Sequence, residues 1–263
     1  MEATGTRLDT LMVERGLAET RSRAQGLILA GAVRVGDRIV TKAGSRFPPD
    51  QPLSVVQGNR FVSRAGEKLD AAIEAFGVEV AGRSCLDAGA STGGFTDVLL
   101  KRGAERVLSV DVGYGQFDWS LRRDPRVTIL ERTNVRHLRG EDLPFGPDLL
   151  VADLSFISLG VALRTLVSTT NSLREAVVLV KPQFEAGPKL VGRGGVVADP
   201  GVRARAILGV VEFFDSLGFG AVDLAPAAVT GRRSGNQEYL LRLLRGAEGV
   251  LGEGRVSEAA SGA

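Results

Sequence analysis

Apolar residues recur at helical spacing at Leu8, Leu11 and Met12, and Gly16 ends the short helix they predict. Thr20 or Ser22 can cap a second helix whose apolar face is Ala24, Leu27 and Ile28, closed by Gly31. Residues 33–35 and 38–40 then alternate around the turn pair Gly36-Asp37 and predict a hairpin. Pro48, Pro49, Asp50 and Pro52 mark a loop before a short strand at 53–56, and Gln57-Gly58-Asn59 reads as the start of a linker. The pattern predicts a small α-α-β domain over 1–58, joined through 59–64 to a longer segment.

Beyond the linker the rhythm changes. Leu69, Ala72, Ile73 and Phe76 make one helix face, stopped by Gly77. Strands at 84–87, 107–111, 127–130, 149–153, 176–181, 221–224 and 238–243 follow, with helical patterns at 95–102, 161–169 and 203–217 between them. This alternation predicts an open, mainly parallel seven-stranded α/β sheet over 65–245, with ligands at the carboxyl ends of its strands. Residues 246–263, rich in Gly, Ala, Glu and Ser, read as a disordered tail. No internal repeat is visible.

Composition narrows the function classes. With 44% apolar residues, and Lys+Arg 33 against Asp+Glu 31, the 263-residue chain can bury a core and is not disordered throughout. No apolar run approaches the roughly 20 residues of a membrane span, and the N-terminus lacks the apolar core of an export signal, so a cytoplasmic protein is expected. The single Cys85 excludes an internal disulfide, and with the lone His137 it excludes a Cys/His zinc site, so no metal is expected. The net charge of +2 is unevenly placed: residues 1–64 carry a net +4 and the remainder −2. A small basic domain beside a near-neutral one suggests a polyanion-binding appendage.

The run Cys85-Leu86-Asp87-Ala88-Gly89-Ala90-Ser91-Thr92-Gly93-Gly94-Phe95 is the most informative one. A buried strand ends in an acid, glycines carry a tight turn, and a helix begins at Gly94. The turn lacks the Lys-Ser/Thr ending of a phosphate-binding loop and is not G-x-G-x-x-G, which disfavours ATP, GTP and nicotinamide cofactors. Asp111 ends the second strand, where an acid can hold both ribose hydroxyls of a nucleoside. Asp87 can hold a cationic amino group, and the two acids together fit S-adenosylmethionine. Cys85 reads as a small buried filler.

Four further ionisable residues fall where the sheet would open a cleft. Lys68 lies on the helix before the first strand, Asp153 and Lys181 end buried strands, and Glu238 begins the last one. Each has a bland reading alone; Glu238, for example, could pair with Arg232 or Arg233. Together they are hard to read as structural alone.

The order K-D-K-E around a D-x-G-x-x-x-G-G-F turn resembles the FtsJ-like ribose 2′-O-methyltransferases. Arg7-Leu8-Asp9, Gly16-Leu17-Ala18, Ser22-Arg23, Ile28, Gly31, Val33 and Val35-Gly36-Asp37 resemble an S-four-type RNA-binding domain, named after a ribosomal protein. With Arg60-Phe61-Val62-Ser63-Arg64 and Arg193-Gly194-Gly195-Val196-Val197, the whole chain looks like the TlyA family of rRNA cytidine 2′-O-methyltransferases, also called haemolysins. Phe61 stands where that family is expected often to carry tryptophan.

The resemblance implies a Rossmann-like class I methyltransferase fold and ribosomal RNA, in ribosomal subunits, as the partner. It also implies methyl transfer to a ribose hydroxyl, which needs alignment of the reacting atoms and a proton acceptor. Lys181 is then the expected base, made more readily neutral by like charge from Lys68 and by partial burial, with Asp153 and Glu238 orienting the two amines. The resemblance implies too that Val112, Asn134 and Asp153 join the turn residues 89–95, Asp87 and Asp111 around the cofactor, and that Arg7, Arg21, Arg23, Lys42 and Arg64 contact RNA. Three other readings stand beside this one. A pseudouridine synthase, suggested by Arg7-Leu8-Asp9, leaves the glycine turn unexplained. A membrane-acting toxin lacks an amphipathic or apolar segment of suitable size. A non-catalytic RNA-binding factor would be favoured by failure to bind the cofactor.

Overall fold

The structure is a computed structural model that describes residues 5–29, 31–55, 60–228 and 235–262. The chain divides into two compact units, Met1–Arg60 and Phe61–Ala263.

In the small unit β1 (Thr6–Arg7) leads directly into α1 (Leu8–Glu14), and α2 (Arg21–Leu29) follows. The Thr20 hydroxyl accepts from the Arg23 amide at 3.2 Å, the cap expected there. β2 (Val33–Val35) pairs antiparallel with β3 (Arg38–Ile39) across the Gly36-Asp37 turn, and β4 (Arg46–Phe47) pairs with β1. β5 (Leu53–Val55) takes the other edge of β2. Leu8, Met12, Ala24, Ile28, Val33 and Val35 are buried together, so the helical and strand periodicities meet in one small core.

The larger unit opens with α3 (Arg64–Phe76), which ends at Gly77 in the left-handed region, as its sequence predicts. There follow β6 (Ser84–Ala88), α4 (Gly94–Lys101), β7 (Arg106–Val110), α5 (Trp119–Arg122), β8 (Val127–Leu130), β9 (Leu149–Ala152), α6 (Leu159–Thr169), β10 (Glu175–Val180), α7 (Pro182–Glu185), α8 (Pro200–Asp215), β11 (Phe219–Pro226), β12 (Tyr239–Arg245) and α9 (Glu253–Ser261). The seven strands form one sheet in the order β11-β12-β10-β9-β6-β7-β8. All are parallel except β12, which runs antiparallel to both its neighbours. This is the α/β sheet expected from the sequence.

Because side chains alternate along a strand, each strand feeds two cores. Leu86, Leu108, Leu150, Val178 and Leu241 face one core, with α6, α8 and α9. Cys85, Val107, Val151, Leu179 and Leu240 face the other, with α3 and α4. Burial pushes the Cys85 thiol up to about 12, which suits a filler and not a nucleophile.

Two sequence expectations are overturned. Residues 246–263 are not a disordered tail: Leu251, Val256 and Ala260 are buried, and the Arg203 guanidinium donates to the Ala260 carbonyl at 2.8 Å. Three small apolar residues in a polar stretch look weak in sequence, yet α8 offers them a surface to cover. Residues 61–64 are likewise not a linker. Phe61 is buried in the larger unit, the Val62 amide donates to Asp97 at 2.9 Å, and Arg64 starts α3. The linker residues Gln57, Gly58 and Asn59, and Arg232 and Arg233, lie outside the described residues. Among the described residues no helix is long and apolar enough to cross a membrane.

Candidate active site

Register brings the ionisable residues to one edge. Ala88, Ala152 and Val110 lie level at the carboxyl ends of β6, β9 and β7, and Val180 pairs with Tyr239. Asp111, Asp153 and Lys181 therefore follow directly on the strand ends, and Glu238 precedes β12 beside Lys181. Alternation sets their faces: Asp87, Asp153, Lys181 and Glu238 share parity with Cys85, Val151, Leu179 and Leu240, on the α3 side where Lys68 lies.

Lys68, Asp153, Lys181 and Glu238 form two ion pairs. Lys181 Nζ lies 2.5 Å from Asp153 Oδ1 and donates to Ser155 Oγ at 2.9 Å. Lys68 Nζ binds Glu238 Oε2, a contact spanning 170 residues of sequence. Lys68, Lys181 and Glu238 are buried, so each ammonium meets a carboxylate instead of water. The nearest charge to each amine is thus a carboxylate, not the other lysine.

Beside this cluster lies a cavity of about 470 Å³. Of the expected cofactor residues, Gly89, Ser91, Asp111, Val112, Asn134 and Asp153 line it. Asp111 Oδ2 accepts from the Ser91 amide at 2.8 Å, and Oδ1 accepts from the Gly113 amide, so the acid is fixed at the rim. Gly89 has a φ of +88°, and its amide donates to the Val110 carbonyl at 2.9 Å. A Cβ there would sit 2.5 Å from the Asp153 carbonyl oxygen, so glycine alone lets the turn pass so close to the neighbouring strand end.

The rest of the glycine turn faces elsewhere. Phe95 and Ala90 are buried in the core, Gly93 abuts Leu121 and Phe117, and Gly94 lies against Ser63 and Gly66 where α4 crosses α3. Thr92 offers its carbonyl to the Asp118 amide. The side-chain positions of Ala90, Gly93, Gly94 and Phe95 thus serve packing, a role that a glycine-rich motif does not distinguish in sequence from ligand contact. Conversely, Gln116, Thr133, Leu154, Ser155, Phe156 and Ile157 line the cavity without having been singled out. Leu154, Ser155 and Phe156 directly follow Asp153, which is the available signal. Phe156 has a φ of +66°, is 89% exposed, and sets its ring 5.3 Å from that of Phe184.

Asp87 is fully buried on β6, two residues before Gly89, and does not itself line the cavity. Its Oδ2 accepts from the Thr96 hydroxyl at 2.6 Å, while Oδ1 has no hydrogen-bond partner among the described residues. Burial pushes this carboxyl up to about 7, more than the Thr96 hydroxyl lowers it. An acid left half-satisfied beneath the turn, a rim acid at Asp111 and a cradle that a Cβ would fill all fit a nucleoside carrying a cationic amino-acid end.

In the small unit the expected RNA residues are organised by a buried acid. Asp9 is fully buried and receives Arg7 at 2.8 and 3.0 Å, Arg21 at 3.2 Å and Gln25 at 2.8 Å. These donors hold its carboxyl well below the usual carboxylate range. Asp9 therefore sets the guanidinium planes of Arg7 and Arg21, while Arg23 and Lys42 are exposed. Arg64 is exposed at the start of α3 in the larger unit.

Residues 61–245 match the FtsJ-like methyltransferase family and residues 6–51 the S4 domain. A Mycobacterium tuberculosis protein named 16S/23S rRNA (cytidine-2′-O)-methyltransferase TlyA is 50% identical over 239 residues, covering 90% of this chain and 89% of its own. The chain belongs to the TlyA family of FtsJ-like methyltransferases. The family also includes proteins with a different name: Hemolysin A of Brachyspira hyodysenteriae is 39% identical over 90% of this chain and 99% of its own. A solved Streptococcus thermophilus structure, also under a hemolysin name, superposes with a TM-score of 0.74 at 34% identity, covering 98% of this chain and 95% of its own. TlyA relatives thus match both units of this chain together.

Proposed function

We propose that the protein transfers the methyl group of S-adenosylmethionine to the ribose 2′-hydroxyl of a cytidine in ribosomal RNA, the small unit docking on the RNA. The observation that carries this reading is the pair of buried Lys–carboxylate contacts at the sheet edge, beside a cavity lined by Gly89, Ser91 and Asp111, in a chain half identical to an enzyme of that name.

When bound, the cofactor supplies an already activated methyl group. Asp111 would hold its ribose, Gly89 and Ser91 its approach, and Asp87 its cationic end. The chain's task is to position the hydroxyl and take its proton. Lys181 Nζ is the group set to take that proton at the cavity edge; Asp153 and Ser155 fix where the amine points. Lys68 and Glu238 complete the polar wall. Phe156 offers an exposed ring on which the flipped base can stack. The test is to incubate the protein with methyl-labelled cofactor and separated ribosomal subunits, then map the label. Label on a cytidine 2′-oxygen is expected; no transfer, or label on a base, overturns the reading.

The Asp87 carboxyl adds a pH dependence. Below about pH 7 it holds a proton in the free protein and must release it to meet a cation. Cofactor affinity should therefore rise as pH increases, by roughly tenfold per unit below 7, and level off above it. Calorimetry at pH 6 and pH 8 should show this for the native chain, whereas Asp87→Asn should bind weakly at both. An unchanged affinity between the two pH values would separate Asp87 from the cofactor.

A further inference from the structure

Between β9 and α6 the chain runs through residues 153–158 with no ladder of its own. The Asp153 amide donates to the Ala88 carbonyl at 3.0 Å, but the amides of residues 154–158 reach no backbone carbonyl among the described residues. Phe156 is held there at a φ of +66°, a conformation that an L side chain adopts only when its surroundings impose it. Yet Asp153, Leu154, Ser155, Phe156 and Ile157 all line the cavity. A segment so placed, with so little support of its own, has to be fixed by its neighbours.

The short helix α7 supplies the fixing contacts. Pro182 begins it directly after Lys181, and the Phe184 amide donates to the Lys181 carbonyl at 2.9 Å. Residues 181, 184 and 185 therefore fall on one face of this turn. Lys181 holds Asp153 and Ser155, and the Phe184 ring lies 5.3 Å from that of Phe156. Glu185 closes the far end of the segment, where its Oε1 accepts from the Leu159 amide at 2.8 Å. Leu159 is the first residue of α6, whose opening amides have no partner within the helix, so Glu185 caps α6 from a different element. Ser158 Oγ adds a longer contact of 3.4 Å to the Val161 amide. The helix itself is immobilised by Leu159, Ala162, Leu163 and Leu166, all buried in the core.

An acid is a costly choice for this task. Burial pushes the Glu185 carboxyl up to about 7, more than the Leu159 amide lowers it, and no cation pairs with it among the described residues. Its ionised form is less favoured in the folded chain than in the unfolded one, so at and above neutral pH the side chain detracts from stability. Fold stability therefore does not account for Glu185, and a group retained against stability next to a cavity wall points to function.

We infer that Glu185 is a positioning residue for methyl transfer: by capping α6 from α7 it sets the 153–158 segment, and through it the Phe156 ring that receives the substrate base. Glu185 does not line the cavity, so its effect passes through the segment it holds. The inference rests on the methyl-transfer reading above.

The test is single-turnover methyl transfer by the full chain to isolated ribosomal subunits at saturating S-adenosylmethionine, with melting temperature and cofactor affinity measured alongside. Glu185→Ala removes the acceptor and should slow transfer about 10- to 100-fold, the loss that a small misplacement of reacting groups produces. Cofactor and subunit affinities should stay near native. Glu185→Asp keeps the charge but falls one methylene short of the Leu159 amide, so it should be slow too; it gives the same reading if the alanine variant does not fold. Glu185→Gln lacks the charge but keeps an oxygen within reach, and most of the rate should return. Phe156→Ala should be slow by itself, and adding Glu185→Ala to it should cost little more, because residues acting through one contact are not additive. A native rate in Glu185→Ala and Glu185→Asp would overturn the inference. So would a glutamine variant as slow as alanine, or fully additive losses in the Phe156→Ala/Glu185→Ala variant, which would reduce Glu185 to a general support of the fold. If the native chain itself transfers no methyl group to either subunit, the methyl-transfer reading fails, and the role of Glu185 with it.

Discussion

Lys181→Met should bind cofactor and ribosomal subunits normally yet transfer methyl groups some 10²- to 10⁴-fold more slowly in single-turnover assays, the usual cost of losing a general base. Methionine keeps most of the stem that lies buried at the end of β10 but removes Nζ, and with it the contacts to Asp153 and Ser155. Lys181→Arg should be nearly as slow, because a guanidinium stays protonated at working pH. Asp153 provides the internal check: it also borders the cavity, so Asp153→Asn should lose both rate and some cofactor affinity, whereas Lys181→Met should lose rate alone. If Lys181→Met kept more than a small fraction of the native rate, the proton would have to leave by another route and Lys181 would be reduced to alignment.

The second large effect is expected at Gly89. Alanine there must adopt a φ of +88°, at roughly 1–2 kcal/mol, and its Cβ would drive into the Asp153 backbone at 2.5 Å, adding about 1–3 kcal/mol of displacement. Both walls of the cavity meet at that contact, so the native shape is restored only at the expense of binding. Cofactor affinity should drop by roughly 100-fold or more. Gly218→Ala makes the comparison fair: it has a φ of +79° but open space around it, and it lies between α8 and β11, away from the cavity. That variant should melt lower and bind cofactor like the native chain. Comparable losses in both variants would mean that general destabilisation, not the turn's closeness to Asp153, controls binding.

Several of these residues were visible in the chain before any coordinates. Strand alternation and the breaks after it located all seven sheet strands, and an acid or lysine directly after an apolar run is conspicuous at Asp111, Asp153 and Lys181. Other features were hidden for definite reasons. The helix at 253–261 buries only small residues, which matter when α8 is already there to receive them. The Gly93-Gly94 pair looks like ligand chemistry, but serves the close passage of Leu121 and of α3. Phe156 carries no periodic signal; its prominence comes from a left-handed backbone and a neighbouring ring contributed by α7.

By itself, then, the sequence determined the fold class, the glycine turn between an acid-ended strand and a helix, and the identity of the four ionisable residues at the sheet edge, since each follows from short-range periodicity and backbone chemistry. It did not determine who pairs with whom. Strand order and direction decide that: β12 inserts antiparallel beside β10, sets Glu238 next to the end of Lys181's strand, and brings Lys68 to it across 170 residues. Such partners are chosen by which faces can be buried together over the whole sheet, a free-energy minimum of long-range contacts that local patterns do not specify.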